Sequence, residues 1–304
     1  MKGAIIGDIF GSIYEFHNIK TKDFPLFSEK CSFTDDTVMT VAVAKGLLSA
    51  TGLNADLADS IASYMQDYGN RYPNRGYGGR FTGWLSSSHP RPYNSWGNGA
   101  PMRCSSAGWL ASSPEKAFQL GMYTAAPTHN HPESMKAAGL TAMLICYARN
   151  GASKDELRQI AGKWYALPVL DEIRDEYSFD VSCMGTMPVA LSAFFDSESF
   201  EDAIRNAIAI GGDSDTIAAI TGSIAEAYYG VPEDLWQIAS GFLEEELRLD
   251  VEEFYGFLEK EPNALESTHL TLQELSILPR KERYAYVRKF RKGPRAKRLR
   301  DYLE

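Results

Sequence analysis

The sequence predicts an all-α protein, and three observations carry that expectation. Apolar residues recur at helical spacing wherever a period can be read, and runs of alternating β-branched residues are almost absent. One long stretch, 68–101, dense in Gly, Asn, Pro and Tyr, interrupts the pattern. Loops of that length inside a compact domain are uncommon and often functional. The expectation is a helical domain with one long working loop.

The opening segment, Ala4-Ile5-Ile6-Gly7-Asp8-Ile9-Phe10-Gly11, reads at first as a strand entering a glycine-rich nucleotide loop. Gly3, Gly7 and Gly11, however, recur every four residues, which places them on one face of a helix where a second backbone can come close. Glu15 is the next step on that stripe, where the small residues end and space opens. The plain alternative is an exposed glutamate at a helix end. Further helices are expected over 37–50, 55–68, 132–149, 153–165 and 185–195. Ala203, Ile204, Ala207 and Ile208 then step along one face until Gly211 ends their helix, and Ile217, Ile220, Ile224 and Tyr228 repeat the spacing. Two more are expected over 232–247 and 250–260.

Composition is that of an ordinary globular protein, 44% hydrophobic and 23% charged, and 304 residues can bury a substantial core. No stretch approaches the roughly 18–20 apolar residues of a membrane span. The first apolar run breaks at Asp8, unlike a signal peptide, and Cys31, Cys104, Cys146 and Cys183 form no C-x-x-C pair. These features predict a soluble cytoplasmic protein with reduced thiols and no membrane partner. Charge is unevenly placed. Residues 279–304 hold eleven Lys or Arg against three acids, so a chain of net charge −9 divides into a +8 tail and a −17 body. An acidic body repels nucleic acid and suits divalent cations. The tail reads as a solvated helix near the acidic stretch 244–261, or as a dock for an acidic partner or RNA.

Two acidic runs stand at helix starts. Thr34-Asp35-Asp36-Thr37 precedes the apolar Val38-Met39-Thr40-Val41-Ala42-Val43-Ala44, and Gly211-Gly212-Asp213-Ser214-Asp215-Thr216 precedes Ile217-Ala218-Ala219-Ile220. Each alone reads as a helix cap with first-turn acids that complement the dipole. Together they bring four carboxylates to the mouths of helices too apolar for a surface, where acids must be paired or bound to a cation. Oxygen-only ligands favour Mg²⁺, Mn²⁺ or Ca²⁺, and no His or Cys motif competes for zinc. Two more segments can complete a site. In 94–103, backbone N–H groups can hold phosphates and Trp96 can stack on a base, although a bare turn and cap looks much the same. Thr128-His129-Asn130-His131-Pro132-Glu133 reads equally as a capping turn or a ligand-contacting loop.

Taken in order, the segments resemble the ADP-ribosylglycohydrolase family. The matching motifs are Gly7-Asp8-x-x-Gly11-Ser12-x-x-Glu15, Thr34-Asp35-Asp36-Thr37-x-Met39, Gly97-Asn98-Gly99-Ala100-x-Met102-Arg103, Thr128-His129 and Gly211-Gly212-Asp213-x-Asp215-Thr216. They span about residues 3 to 230. The resemblance implies a compact orthogonal multi-helix bundle, expected over 1–262, while 263–304 carries no family motif and reads as a basic helical extension of unknown role. It also implies a binuclear Mg²⁺ or Mn²⁺ centre held by Thr34, Asp35, Asp36, Asp213, Asp215 and Thr216. The reaction implied is hydrolysis of the bond between C1″ of ADP-ribose and an acceptor, with Asp35 or Asp36 positioning water and Glu15 assisting proton transfer. Ser95, Trp96, Gly97, Asn98, Gly99, Met102 and His129 would bind substrate.

Two positions depart from the family pattern. Asn94-Ser95-Trp96 replaces the Gly-Ser-Tyr of some members, and Pro101 follows Ala100 where a small residue is frequent, so loop geometry and adenine stacking are expected to differ. The metal-binding residues are all present, unlike in crystallin-like members that have lost catalysis. The expected substrate is an ADP-ribosylated protein or small molecule and the expected state of the protein a monomer, with a nucleic-acid acceptor suggested faintly by the tail. The rival functions are an ADP-ribose-binding module without turnover and a two-metal phosphodiesterase.

Overall fold

The structure is a computed structural model that describes residues 1–53 and 57–260. Its order begins with α1 (Lys2–Gly11), the long pair α2 (Asp35–Leu53) and α3 (Leu57–Arg71), and a short α4 (Gly79–Leu85). Then come α5 (Ser105–Leu110), α6 (Pro114–Ala125), α7 (Pro132–Arg149), α8 (Lys154–Ala161) and α9 (Leu170–Ile173). The series closes with α10 (Cys183–Phe195), α11 (Phe200–Ala209), α12 (Ser214–Tyr229), α13 (Glu233–Ser240) and α14 (Glu245–Lys260). The described residues contain no β-strand, only an isolated antiparallel bridge between Gly97 and Ser182.

The glycine stripe determines how the bundle is assembled. A Cβ at Gly3 would stand 2.1 Å from the Gly222 carbonyl oxygen, one at Gly7 2.1 Å from that of Ala218, and one at Gly11 2.5 Å from Asp215 Cα. Only hydrogen at these positions lets α1 lie backbone to backbone along α12, with Gly11 against the start of that helix. Glu226 of α12 accepts from the Gly3 N–H at 2.8 Å and from the Tyr255 hydroxyl of α14, tying three helices at the other end. Around this pair the core is apolar on every side. Val38, Met39, Val41, Ala42 and Val43 of α2 and Ile217, Ala218, Ala219, Ile220 and Ile224 of α12 are fully buried. A helix without a polar face must be enclosed, so its N-terminal acids come inside with it.

Several boundaries differ from those the sequence predicts. α1 stops at Gly11, where the Ser12 N–H bonds the Asp8 carbonyl and that of Tyr14 bonds Gly11. Glu15 therefore stands on a turn beyond the helix, not on its fourth step. The helix expected over 232–247 is broken at Gly241, where three successive i→i+3 bonds separate α13 from α14. α8 ends at Ala161, closed by Gly162. The stretch 68–101 is less open than its composition suggests, since α3 runs to Arg71 and α4 lies within it. α4, α5, α6 and α9 are not among the expected helices, although Ser113-Pro114-Glu115 carries the start of α6, where the Ser113 side chain caps the Lys116 N–H and Pro opens the helix. The extension 263–304, including the basic 279–304, lies outside the described residues.

Candidate active site

α1 packs against α12 and alongside α2, and the N-termini of α2 and α12 meet beside its C-terminal half. Asp8, fully buried on α1, supplies what α2 needs there. One carboxylate oxygen accepts the backbone N–H groups of Thr34 and Thr37, each at 3.0 Å, and the other accepts the Thr34 hydroxyl at 2.6 Å. Asp8, rather than Asp35 or Asp36, thereby takes the first-turn N–H groups of Thr34 and Thr37, whereas in the α12 run Asp215 Oδ1 accepts the Thr216 N–H at 2.9 Å. Asp213, at the N-cap of α12, makes no side-chain cap bond, and its Oδ2 instead accepts from Asn98 Nδ2 at 2.7 Å. Asp36 Oδ2 accepts from Thr216 Oγ1 at 3.1 Å, while Asp36 Oδ1 is buried without a partner.

Carboxylate oxygens of Asp8, Asp36 and Asp215 lie within 4.8 Å of one another, and so do those of Glu15, Asp213 and Asp215. The two triads share Asp215. Every one of these acids is pushed above the usual carboxylate range, first by burial, and in Asp36, Asp215 and Glu15 neighbouring carboxylate charges add to it. Asp36 and Asp215 stand well above it, Asp35 is pushed up to about 8, and half-buried Glu15 to about 7 by burial, Asp213 and Asp8. For Asp8 and Asp213, donated hydrogen bonds partly offset burial. Buried like charges with an orphaned oxygen among them are what a hard cation neutralises, so this donor set fits the divalent ions its chemistry implies.

The cleft continues from the acids to the 94–103 loop. Asn98 N–H donates to the Val181 carbonyl at 2.8 Å, Cys183 N–H to Trp96 at 3.0 Å, and the Cys183 thiol and Ser134 hydroxyl both reach the Gly97 carbonyl. The Gly97 N–H donates to Ser95 Oγ at 3.2 Å. The N–H groups of Gly97 and Asn98 are thus already engaged, and the Asn98 amide bridges Asp213 and Thr186. This makes the loop and the acid nest one hydrogen-bonded unit. His129 closes it from the other side. A Cβ at Gly99 would fall 3.1 Å from His129 Nε2, and the Thr128 hydroxyl bonds His129 Nδ1 at 2.7 Å while accepting from Arg103. That arrangement favours a neutral ring with its proton on Nε2. Burial, and then the Arg103 charge, hold its pKa well below the ordinary value. Asn94, standing where some family members have glycine, takes the left-handed φ of 54° that asparagine tolerates.

One cleft of about 380 Å³ is lined by Glu15, Thr34, Asp35, Asp36, Asp213, Asp215 and Thr216 at one end and by Ser95, Gly97, Asn98, Gly99, Met102 and His129 at the other. Trp96 is the sequence-predicted residue the structure leaves out of the lining; its side chain is 48% exposed. Tyr93 stands in the cleft instead, its ring centroid 5.9 Å from that of His129. Sequence reasoning also gave no role to Asp8, nor to Gly76, Arg80 and Phe179 of the lining. Asp8 had a signal: it lies between two glycines of the stripe and so had to face the same junction.

An all-helical bundle that opens a mixed acidic and glycine-lined cleft beside its most buried helices defines a helical hydrolase of the glycohydrolase type. The chain belongs to the ADP-ribosylglycohydrolase family, whose sequence model matches residues 1–261, and it is a hydrolase of ADP-ribosyl linkages. ADP-ribosylhydrolase ARH3 of Mus musculus is 26% identical, over 80% of this chain and 87% of the relative. ADP-ribosylarginine hydrolase Tri1 of Serratia proteamaculans is 26% identical over 75% and 70%, respectively. The ADP-ribosyl-[dinitrogen reductase] glycohydrolase of Rhodospirillum rubrum is also 26% identical, over 79% and 86%. A solved ADP-ribosylglycohydrolase-related protein complex superposes with a TM-score of 0.64 at 25% identity, covering 84% of this chain and 94% of that one.

Proposed function

We propose that the protein is a divalent-cation-dependent hydrolase that cleaves the glycosidic bond between C1″ of ADP-ribose and an acceptor. The observation that carries this reading is the pair of carboxylate triads that share Asp215, together with the buried, unpartnered Oδ1 of Asp36 in one of them. Thr34, Asp35, Asp36, Asp213, Asp215 and Thr216 would hold two cations, Mg²⁺ or Mn²⁺. When bound, these would neutralise the carboxylates, orient the ribose hydroxyls and stabilise charge developing at C1″. Asp35, lining the cleft with a raised pKa, and Asp36 would fix the water that attacks. Glu15, whose carboxylate lies within 4.8 Å of those of Asp213 and Asp215, would serve the leaving group or that water. His129 Nε2 and the Ser95 to Gly99 loop would orient the diphosphate side, and the Arg103 charge behind them favours an anion there.

The substrate class is an ADP-ribosylated protein or small molecule, as the relatives' names describe for arginine and dinitrogen reductase. A panel of ADP-ribosyl-arginine, ADP-ribosyl-serine, O-acetyl-ADP-ribose and ADP-ribosylated nucleic-acid ends, each with Mg²⁺, Mn²⁺ or chelator, tests it. Cation-dependent release of free ADP-ribose from at least one supports the proposal. Binding without turnover would mark a reader module, and release of AMP or phosphate would mark a phosphodiesterase.

A further inference from the structure

Glu15 and Asp213 come from opposite ends of the described chain, yet their carboxylates meet. Glu15 lies beyond the end of its helix, and Asp213 is the N-cap at the very start of its own. α1 has ended at Gly11, and the segment before Asp213 passes through Gly211 and Gly212 at φ of 74° and 75°. One side chain joins the two. Asn18 Nδ2 donates to the carbonyls of Tyr14 at 2.7 Å, Glu15 at 2.9 Å and Gly212 at 2.9 Å, and Asn18 Oδ1 accepts the Gly212 N–H at 2.8 Å. The amide orientation follows from the partners, since three carbonyls need a donor and one N–H needs an acceptor. Asn18 therefore captures both backbone groups of the residue preceding Asp213 and the carbonyl of Glu15 itself. Nearby, Lys20 Nζ bonds the Tyr177 carbonyl at 2.6 Å and that of Ile210 at 2.7 Å, which fixes the chain just beyond the clamp.

We propose that Asn18 is a positioning residue that sets the Glu15 carboxylate against Asp213. The inference rests on the reading that Asp213 and Asp215 share a cation, beside which the Glu15 carboxylate stands. An asparagine in a turn ordinarily satisfies its own loop. This one spans 194 residues to do so, and its two anchors flank the catalytic carboxylates. No other residue type supplies the same set. Alanine removes all four bonds, and aspartate keeps an acceptor for the Gly212 N–H while turning a carboxylate towards three carbonyl oxygens.

The test compares Asn18→Ala and Asn18→Asp with the parent protein by calorimetric titration with Mn²⁺ and by steady-state kinetics on a cleaved ADP-ribosyl substrate. The Asn18 side chain is exposed, so both variants should melt within about 3 °C of the parent. Mn²⁺ should bind about tenfold more weakly, the usual cost of losing an outer-shell partner. kcat should fall by about the same factor with KM changed by less than about threefold, because substrate contacts are intact. Combined with Glu15→Gln, the Asn18→Ala loss of Mn²⁺ affinity should fall short of the product of the single losses. Parent-like Mn²⁺ affinity and kcat in both variants, or full multiplication of the losses, overturns the proposal. A parent protein that binds no Mn²⁺ at all overturns the shared-cation reading, and this proposal with it.

Discussion

The Thr34 hydroxyl donates to Asp8 at 2.6 Å, and the other oxygen of that carboxylate takes the N–H groups of Thr34 and Thr37. Asp8 thus holds the first turn of α2 from another helix, and that turn carries Asp35 and Asp36. Asp8→Ala would leave two buried N–H groups unsatisfied and should cost about 3 kcal/mol of stability, read as a lowered urea midpoint. Asp8→Asn keeps one acceptor and should cost less than Asp8→Ala. Both should lose at least about 99% of turnover, since the ends of α2 and α12 would no longer meet in register. Turnover within about twofold of the parent in Asp8→Asn would show that the carboxylate is dispensable there.

The α1–α12 contact makes a sharper demand. In an exposed helix Gly7→Ala would gain about 1 kcal/mol from propensity. Here the new Cβ would meet the Ala218 carbonyl at 2.1 Å, and a backbone atom cannot swing aside as a side-chain tip can. Overpacking should win, for a net loss of about 2 kcal/mol in chemical denaturation. Turnover should fall with it, because Asp215 is carried by the displaced helix.

The same contact shows what the sequence made legible. Glycines spaced by four, and acids placed ahead of wholly apolar helices, are statements about burial, and burial is what periodicity reports. The helical class and the junction of the two acidic runs followed from them. Glu15 was less accessible: the stripe points to it, but the turn that delivers it depends on Asn18 bonding Gly212, a contact between residues 194 apart. Asp8 looked like one residue of a motif because its partners, Thr34 and Thr37, are set by the packing of α2. Helix breaks at Gly162 and Gly241 were available locally, yet apolar spacing continues across both and masks them.

The raised pKa values make metal-free stability depend on pH. Asp35 and Glu15 hold their protons up to about 8 and about 7 in the fold, against about 4 when unfolded. The folded chain therefore binds more protons than the unfolded chain between those limits. Their contribution is fully present below pH of about 4 and is lost as pH rises through 7 to 8. Considering these groups alone, chelator-treated protein should melt at a lower temperature at pH 8 than at pH 6. Saturating Mg²⁺ should raise the melting temperature by about 5 °C or more, and by more at the higher pH, where it replaces repelling charges. Asp215→Asn should abolish turnover while raising the chelator-treated melting temperature at pH 8, because the amide is neutral without the proton that the buried carboxyl must take up there. Equal melting of the chelator-treated parent at both pH values, with no response to Mg²⁺ or Mn²⁺, would count against a cation site.

Trp96 and Tyr93 offer competing surfaces for the adenine base, and the structure separates them. Trp96 is half exposed and absent from the cleft lining, whereas Tyr93 lines the cleft beside His129, with its N–H on the Thr128 carbonyl. Base stacking on an aromatic ring is worth about 1–3 kcal/mol. If Tyr93 is the platform, Tyr93→Ala should raise KM about tenfold or more with kcat little changed, because the base sits remote from C1″. Trp96→Ala should move KM by less than about threefold, and Tyr93→Phe should behave like the parent because the ring face carries the contact. The reverse ranking would mean that the loop turns on binding and brings Trp96 over the base. Trp96 is one of five tryptophans, so the emission lost in Trp96→Phe isolates that ring: it should stay exposed on addition of ADP-ribose if Trp96 stays outside, and shift to the blue if it closes.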